Sequence, residues 1–532
     1  QGMIGVYENN RITVYGSMQC PYYVKHALEQ LFGWGNDQIR VIQTTTGGAF
    51  GGKEEFPSLL AGHAALAAYV TGKPAKLIYE RQEDILTSTK RHPSKIRLTS
   101  YLDDNYNLIG LEADVKLDAG ACAGLSAVVL QRALFAVTGV YNVPNLSING
   151  KAFATNNVPS GAFRGFGAPQ AFYAIENHMH NTALNFQINP INFKKKHWLK
   201  KGDLTNTGGT IRDEIILPEM LDLILQKTPE IKEITDKNKK LGRGVSFFFH
   251  GCGFTGSGER DIIKAEVKLK KTTDAKVEIL IANVEMGQGA QTALPKIVAA
   301  VLDIPLERII FNNPDTDFVP DSGPTVASRT TMIVGYLLLE AACDLKSQMS
   351  SPEEIVISRK YQHPDYIKWD QDKLQGDAYP TYSWGIDIID VEIDLLTFEI
   401  EVTNITSVVD IGGVIDERLA RGQIEGGIAQ GLGYAFLEVM NAQNGKILQK
   451  NLTDYIVPTS KEFPQQNVYF MENKYSLGPF GAKGAGELPL VGVPPALSAA
   501  VSDALKIKLN QIPITPEYLR RIVCKQLKES SC

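Results

Sequence analysis

Cysteine is scarce and scattered in this 532-residue chain. The six residues, Cys20, Cys122, Cys252, Cys343, Cys524 and Cys532, form no C-x-x-C pair and no cluster. That argues against a structural zinc site or an iron–sulfur cluster held within the chain. It also suits a reducing compartment better than a disulfide framework. An excess of charge of one sign is missing as well. Lys and Arg number 54 against 59 Asp and Glu, a formal net charge of −5, which gives no electrostatic case for nucleic acid. No apolar run approaches the length that spans a bilayer, and no signal-peptide pattern opens the chain. The expectation is a cytoplasmic protein with neither nucleic acid nor membrane as partner. Gln1 is not an initiator methionine, so the chain reads as a piece of a longer one. Internal repeats and low-complexity tracts are lacking.

What is present is ordinary globular material, 44% hydrophobic and 21% charged, enough for two to four domains or subdomains. Strand and helix patterns mix along it, an α+β (mixed α/β) chain. A lysine-rich, polar stretch over 190–240 reads as a solvated helix face and a linker. It places the main boundary near residue 235, between halves 1–235 and 236–532.

Glycine is concentrated in loops that stand in front of helices. In Thr46-Gly47-Gly48-Ala49-Phe50-Gly51-Gly52-Lys53-Glu54, four glycines fall in six positions between the strand 39–42 and an apolar helix over 57–70. Glycine is costly in regular structure, so such a loop suits backbone that must approach a bulky group, and its free N–H groups suit an anion. Gly47, Gly52 and Lys53 fit G-x-x-x-x-G-K, and Ser407-Val408-Val409-Asp410 could be the acidic strand of a triphosphate site. Glu54, however, stands where that site needs a hydroxyl for magnesium. Further loops are 160–168 with Arg164, 251–256, 285–289, 321–331 and 478–490. Gln19 precedes a helix over 22–31, where a residue bonding local backbone is the plain reading. Arg132 lies among apolar residues, a placement that is expensive unless the guanidinium is paired.

Together the loops offer Gln19, Gln288, Gln423 and Arg164, the backbone around Phe50 and Met286, and the small residues Ala327 and Ser328. A pterin-sized cofactor with amide-like edges and a phosphate tail needs that many partners. With no His/Cys/Asp cluster, a metal would arrive already held by its cofactor. Gly47 to Glu54, Ala162 to Gly167, Glu285 to Gly289, Gln423 to Gly427 and Gly484 to Glu487 resemble, in order and spacing, the molybdopterin-binding region of the xanthine dehydrogenase/aldehyde oxidase family. The resemblance covers nearly the whole chain and implies a two-part architecture with the cofactor between the halves.

It implies roles too. Glu487 matches the general base beside molybdenum, and Gln19 the glutamine near the apical oxo group. Gly48, Ala49, Phe50, Gly51, Arg164, Met286, Gly287, Gln288, Ala327 and Ser328 match cofactor contacts, as do Gln423 and Lys483. No protein residue ligates the metal, which the pterin dithiolene holds. Phe166 and Phe254 match aromatics that sandwich a heteroaromatic ring, with Thr255 following. Glu54 and Arg132 match the pair that grips a purine, so hypoxanthine or xanthine is the expected substrate. The preceding small domain and the iron–sulfur (2Fe-2S) and FAD domains of the family are expected as separate subunits or a missing N-terminal part, in an enzyme assembled as a homodimer. Departures are Ala49 for a common glycine, Val326 for an alanine, and an altered loop after Thr255. Rivals are a hydroxylase of another N-heterocycle or an aldehyde, a triphosphate-binding module, and a catalytically dead subunit.

Overall fold

The computed structural model describes residues 1–231 and 234–530. Its first unit forms around the expected hairpin, β1 (Gly2–Glu8) and β2 (Arg11–Gly16), which turns at Asn9 and Asn10. Helix α1 (Pro21–Phe32), strand β3 (Ile39–Gln43), helix α2 (Pro57–Thr71) and strand β4 (Ala75–Ile78) complete a sheet ordered β3-β2-β1-β4. Ile12, Val14, Ile39 and Val41 bury one side of the sheet against Leu28, Leu60 and Ala64 of the helices. The glycine loop joins β3 to α2 at one end of this unit.

A short helix α3 (Arg81–Thr87) leads to the strands β5 (Ser94–Leu102) and β6 (Leu108–Gly120), helix α4 (Ser126–Ala136) and strand β7 (Leu146–Ala154), paired in the order β5-β6-β7. Helices α5 (Ala168–Asn185), α6 (Pro190–Lys196) and α7 (Leu217–Lys227) follow. The solvated-face expectation fails at α6. Lys194 is buried, and its ammonium meets the carboxylate of Glu176 at 2.8 Å. A lysine run hides such a partner because the partner sits on another helix, where local charge patterning does not reach.

Strand β8 (Lys239–Cys252) opens the second half, before the short helix α8 (Gly258–Asp261). Strands β9 (Glu266–Lys271) and β10 (Val277–Leu280), helix α9 (Ala290–Leu302), strand β11 (Ile309–Ile310), helix α10 (Gly335–Lys346) and strand β12 (Ile355–Lys360) form a compact layer whose sheet runs β11-β10-β9-β12. A ribbon β13 (Trp369–Asp370) with β14 (Gln375–Gly376) precedes the long strands β15 (Thr381–Asp394) and β16 (Ile400–Asp410) and helix α11 (Glu417–Leu432). A second ribbon, β17 (Ala442–Gln443) with β18 (Lys446–Ile447), and the strand β19 (Gln466–Phe470) follow. The chain closes with α12 (Leu488–Val491), α13 (Val493–Leu505) and α14 (Pro516–Ser530).

The sheet β19-β16-β15-β8 is the floor of the molecule, and α13 lies directly on it. Gly244 permits that approach: a Cβ there would stand 1.9 Å from the carbonyl oxygen of Ala496. The largest core joins α4, α5 and α7 of the first half to β8, β15, β16, α11 and α13 of the second. Leu488–Leu505 is an 18-residue apolar run of membrane-spanning length, against the expectation of none, and 89% of it is buried inside the protein. Such a run is the core helix of a packed domain.

Candidate active site

One cavity of about 1020 Å³ lies where the glycine loops of both halves meet. Every site residue expected from the sequence borders it. Gln19, Gly48, Ala49, Phe50, Gly51 and Glu54 come from the first sheet's end, and Arg132, Arg164 and Phe166 from α4 and the turn before α5. Phe254, Thr255, Met286, Gly287, Gln288, Ala327, Ser328, Gln423, Lys483 and Glu487 come from the second half.

Gln19 stitches two of these loops together. Its side-chain oxygen accepts the N–H of Gly51 at 2.9 Å and of Lys53 at 3.3 Å, and its amide nitrogen donates to the carbonyl of Thr325 at 3.0 Å. Gly52 donates to Ala49, and Glu54 donates to Gly51 through the backbone. The N–H groups from Gly51 to Glu54 are therefore already engaged, and a triphosphate cradle needs them free. Asp410, the would-be acidic partner, instead accepts the ammonium of Lys483 at 2.8 Å in a fully buried pair. The triphosphate reading falls on both counts. The same pair holds the Lys483 ammonium on Asp410.

Strain collects at the lining. Phe50, Phe166, Ala327 and Ser328 all carry positive φ, between 47° and 56°. Each such non-glycine residue costs about 1–3 kcal/mol, and residues of this kind cluster at functional sites. Phe50 is 49% exposed, and its carbonyl accepts the N–H of Arg164 at 2.8 Å. The Arg164 guanidinium then reaches three acceptors of the second half: the carbonyls of Gly486 (2.5 Å) and Gln423 (2.9 Å) and the side-chain oxygen of Gln430 (3.2 Å). Burial pulls its pKa down to about 10. Met286 supplies a carbonyl to the N–H of Gly48 at 3.1 Å, while the Gln288 amide folds back onto Met286 and Val284.

Glu487 stands just before α12. The Ser328 hydroxyl donates to its Oε2 at 3.0 Å and accepts its backbone N–H at 3.1 Å. Glu54 is only 6% exposed, and burial above all, then the nearby Glu487 and Glu55 carboxylates, pushes its carboxyl up to about 8. Arg132 pulls the other way, too weakly to offset this. Arg132 donates to the Tyr379 hydroxyl at 3.1 Å, and its guanidinium carbon lies 5.2 Å from the centroid of that ring and 6.0 Å from that of Phe166. Among the described residues it makes no ion pair, with Glu54 or any other carboxylate. Two buried groups of opposite character thus face one cavity without touching.

Several supports escaped the sequence reading. Arg329 makes a bidentate contact to Glu259 at 2.7 and 3.0 Å, fixing the segment after Thr255 to the loop of Ser328. Arg91 sits between the rings of Phe163 and Tyr434, 4.2 and 4.8 Å from their centroids, and donates to the carbonyl of Arg164. Tyr379 props Arg132 from behind. These partners lie far apart in the chain, and no local pattern joins them. Among the described residues no group of three or more His, Cys, Asp or Glu could hold a metal ion.

The donor set suits a molybdopterin: backbone N–H and C=O edges, one guanidinium and amide side chains, with no competing protein ligands. At Gly47 and Gly287, both in the lining, a Cβ would meet no protein atom within 4 Å, so both leave room for a bound group. Residues 1–198 match the model of a molybdopterin cofactor-binding domain, and residues 223–358 and 351–464 match a second model of the same description. A probable xanthine dehydrogenase subunit of Bacillus subtilis is 29% identical over 566 residues, with 99% of this chain and 75% of the relative covered. A xanthine dehydrogenase of Oryza sativa is also 29% identical, over 96% of this chain but 40% of that protein. A nicotine 6-hydroxylase large subunit of Paenarthrobacter nicotinovorans is 26% identical, with 98% of this chain and 71% of the relative covered. In fold, the crystal structure of the aldehyde oxidoreductase of Desulfovibrio desulfuricans superposes with a TM-score of 0.88 at 24% identity, over 98% of this chain and 59% of that one.

Proposed function

Because the chain belongs to the molybdopterin-binding family of the xanthine dehydrogenase and aldehyde oxidase type, we propose that it is the molybdenum-binding part of an oxidoreductase that hydroxylates a purine, hypoxanthine or xanthine, at a ring carbon, with water as the oxygen source. The observation that carries the substrate is the separation of Glu54 and Arg132. Both are buried, they do not pair, and they face the same cavity. A purine offers both donors and acceptors on its edge, so it can satisfy a neutral carboxyl and a guanidinium at once.

Phe50, Arg164, Met286, Ala327 and Ser328 would hold the cofactor, with Gln19 keeping the loops that carry them in register. When bound, the group supplies an oxygen donor and a two-electron acceptor, its metal held by its own pterin sulfurs. The protein's part is positioning and proton transfer. Phe166 and Phe254 would clamp the ring. Oε2 of Glu487 is engaged by Ser328, which leaves Oε1 to take a proton. Electrons leave through iron–sulfur and flavin groups on partner subunits or further domains. Assembly as a homodimer in the cytoplasm, and a division into units 1–235 and 236–532 with the cofactor between them, belong to the same proposal.

The relative named for nicotine favours a second reading, an N-heterocycle other than a purine. Molybdenum analysis of the purified protein, with assays on hypoxanthine, xanthine, nicotinate and benzaldehyde, separates the two. Turnover of a purine with molybdenum bound is the expected result; turnover of nicotinate or benzaldehyde alone would refute the purine assignment. Glu487→Gln is expected to abolish turnover and keep the molybdenum content, and substantial activity in that variant would sink the role of Glu487.

A further inference from the structure

Arg132 enters the cavity with a partner that does not. Tyr379, between β14 and β15, is not among the residues that line the large cavity. Its hydroxyl nevertheless accepts the Arg132 guanidinium at 3.1 Å, with the guanidinium carbon 5.2 Å from its ring centroid. The ring rests on the backbone of β8, where a Cβ at Gly251 would stand 2.3 Å from it. The chain on either side of Tyr379 is tied down as well. Asp377 takes the Arg212 guanidinium at 2.5 and 3.1 Å. The carbonyl of Ala378 accepts the N–H of Gly256 at 2.8 Å, and that of Pro380 accepts the Tyr366 hydroxyl at 3.1 Å. Tyr379 is therefore a fixed post, and Arg132 is the group that has to come to it.

The need for a post follows from charge. A guanidinium stays protonated, and a carboxylate near it in a site shut off from water would draw it in with little screening. Burial, Glu487 and Glu55 push the Glu54 carboxyl up and Arg132 pulls it down, so the two side chains feel each other. Were they to close into a pair, each would satisfy the other and neither would meet a ligand. Tyr379 offers Arg132 an alternative without charge: one acceptor and a ring face, joined by the ring of Phe166 at 6.0 Å. The buried Nε–H of Arg132 is left without a protein partner.

We propose that Tyr379 is a positioning residue for substrate recognition: by holding Arg132 it keeps the guanidinium off Glu54, so that both groups stay open to one ring edge. The bearing on substrate rests on the purine reading, whereas the separation of the two side chains does not. The other ionisable groups around Glu54 are Glu487, Glu55, the Cys20 thiol and the Tyr23 hydroxyl. Those around Tyr379, besides Arg132, are Glu487 and Cys252. Burial pushes the Tyr379 hydroxyl up in spite of Arg132, so it accepts as a neutral phenol. Arg132 is the cation whose place decides the charge on Glu54.

The test is the infrared carboxyl band of Glu54 in the full protein as isolated, with no purine added, assigned by its loss in Glu54→Gln. The band of the protonated acid is expected near neutral pH and should vanish as the pH passes about 8. Tyr379→Phe keeps the ring and removes the acceptor. Arg132 is then expected to close on Glu54, and the band should titrate roughly 1 to 3 pH units lower. A band that titrates at the same pH in both proteins would overturn the proposal, as would its absence near neutral pH in the unaltered one. With hypoxanthine, Tyr379→Phe should raise KM about tenfold and lower kcat by a smaller factor, because a binding contact is lost. A protein that turns over no purine refutes the substrate reading, and the carboxyl band still decides the role of Tyr379. Should Tyr379→Phe not fold, Tyr379→Leu is titrated in its place, with the same shift expected and an unmoved band again overturning the proposal.

Discussion

Glu54 keeps its proton because water is shut away from it. Its folded value of about 8 lies above the 4.5 of a free glutamate. Between those two pH values the folded protein binds more protons than the unfolded chain, so stability falls as pH rises through the window. The contribution is fully present below about pH 4.5 and is lost as pH approaches about 8. Glu54→Gln copies the neutral carboxyl and cannot ionise. It should match the unaltered protein near pH 4.5 and exceed it by on the order of 2–4 kcal/mol near pH 8, read from denaturant midpoints at the two pH values. Equal midpoints at both would mean that the carboxyl is ionised and paired in the fold. At about pH 7 the same substitution should disturb purine KM less than Glu54→Ala, since glutamine keeps an acceptor and adds donors at the same place.

Under the proposed function, the glycine loop between β3 and α2 is the element on which cofactor and substrate recognition would meet. Gly51 has φ of 101°, and a Cβ there would stand 2.8 Å from the carbonyl of Ala162. Gly51→Ala should cost about 1–3 kcal/mol and push the loop off the turn that carries Arg164. Calorimetry should show a lower midpoint, and metal analysis a lower molybdenum content; full loading at an unchanged midpoint would contradict the packing. Elements of this kind were legible because local chemistry dictates them. The hairpins turn at Asn9 and Asn10 and at Ala275, the loops are glycine-rich, and the helices after them are apolar runs. Most residues of the cavity wall sit on such loops, whereas Arg132 and Gln423 sit within helices α4 and α11 and were singled out through the family resemblance. The props behind them were not legible. Nothing near Arg132 in sequence announces Tyr379, and nothing near Lys194 announces Glu176. Long-range polar pairing leaves no periodicity to read.

Across the whole molecule, the largest core is shared by the halves before and after residue 235, beside a smaller core within each. Helices α4, α5 and α7 pack into the same apolar mass as β8, β15 and α13. At its middle, the Glu176 carboxylate gathers the Lys194 ammonium, the Tyr141 hydroxyl and the N–H of Phe247, and Lys194 also donates to the carbonyl of Val245 at 3.3 Å. Phe247 and Val245 belong to β8, so this cluster spans the junction of the halves. Lys194→Met would leave a buried carboxylate without its cation, which costs about 3–5 kcal/mol. Replacing both partners, as Glu176→Gln with Lys194→Met, should recover much of that, because no charge then remains to be desolvated. Since the cluster and the core both cross the junction, the loss should appear as one cooperative unfolding transition moved to lower denaturant, with fluorescence and far-UV circular dichroism coinciding. Two separated transitions, with only one of them shifted, would show instead that the halves fold independently and that the shared core is too weak to couple them.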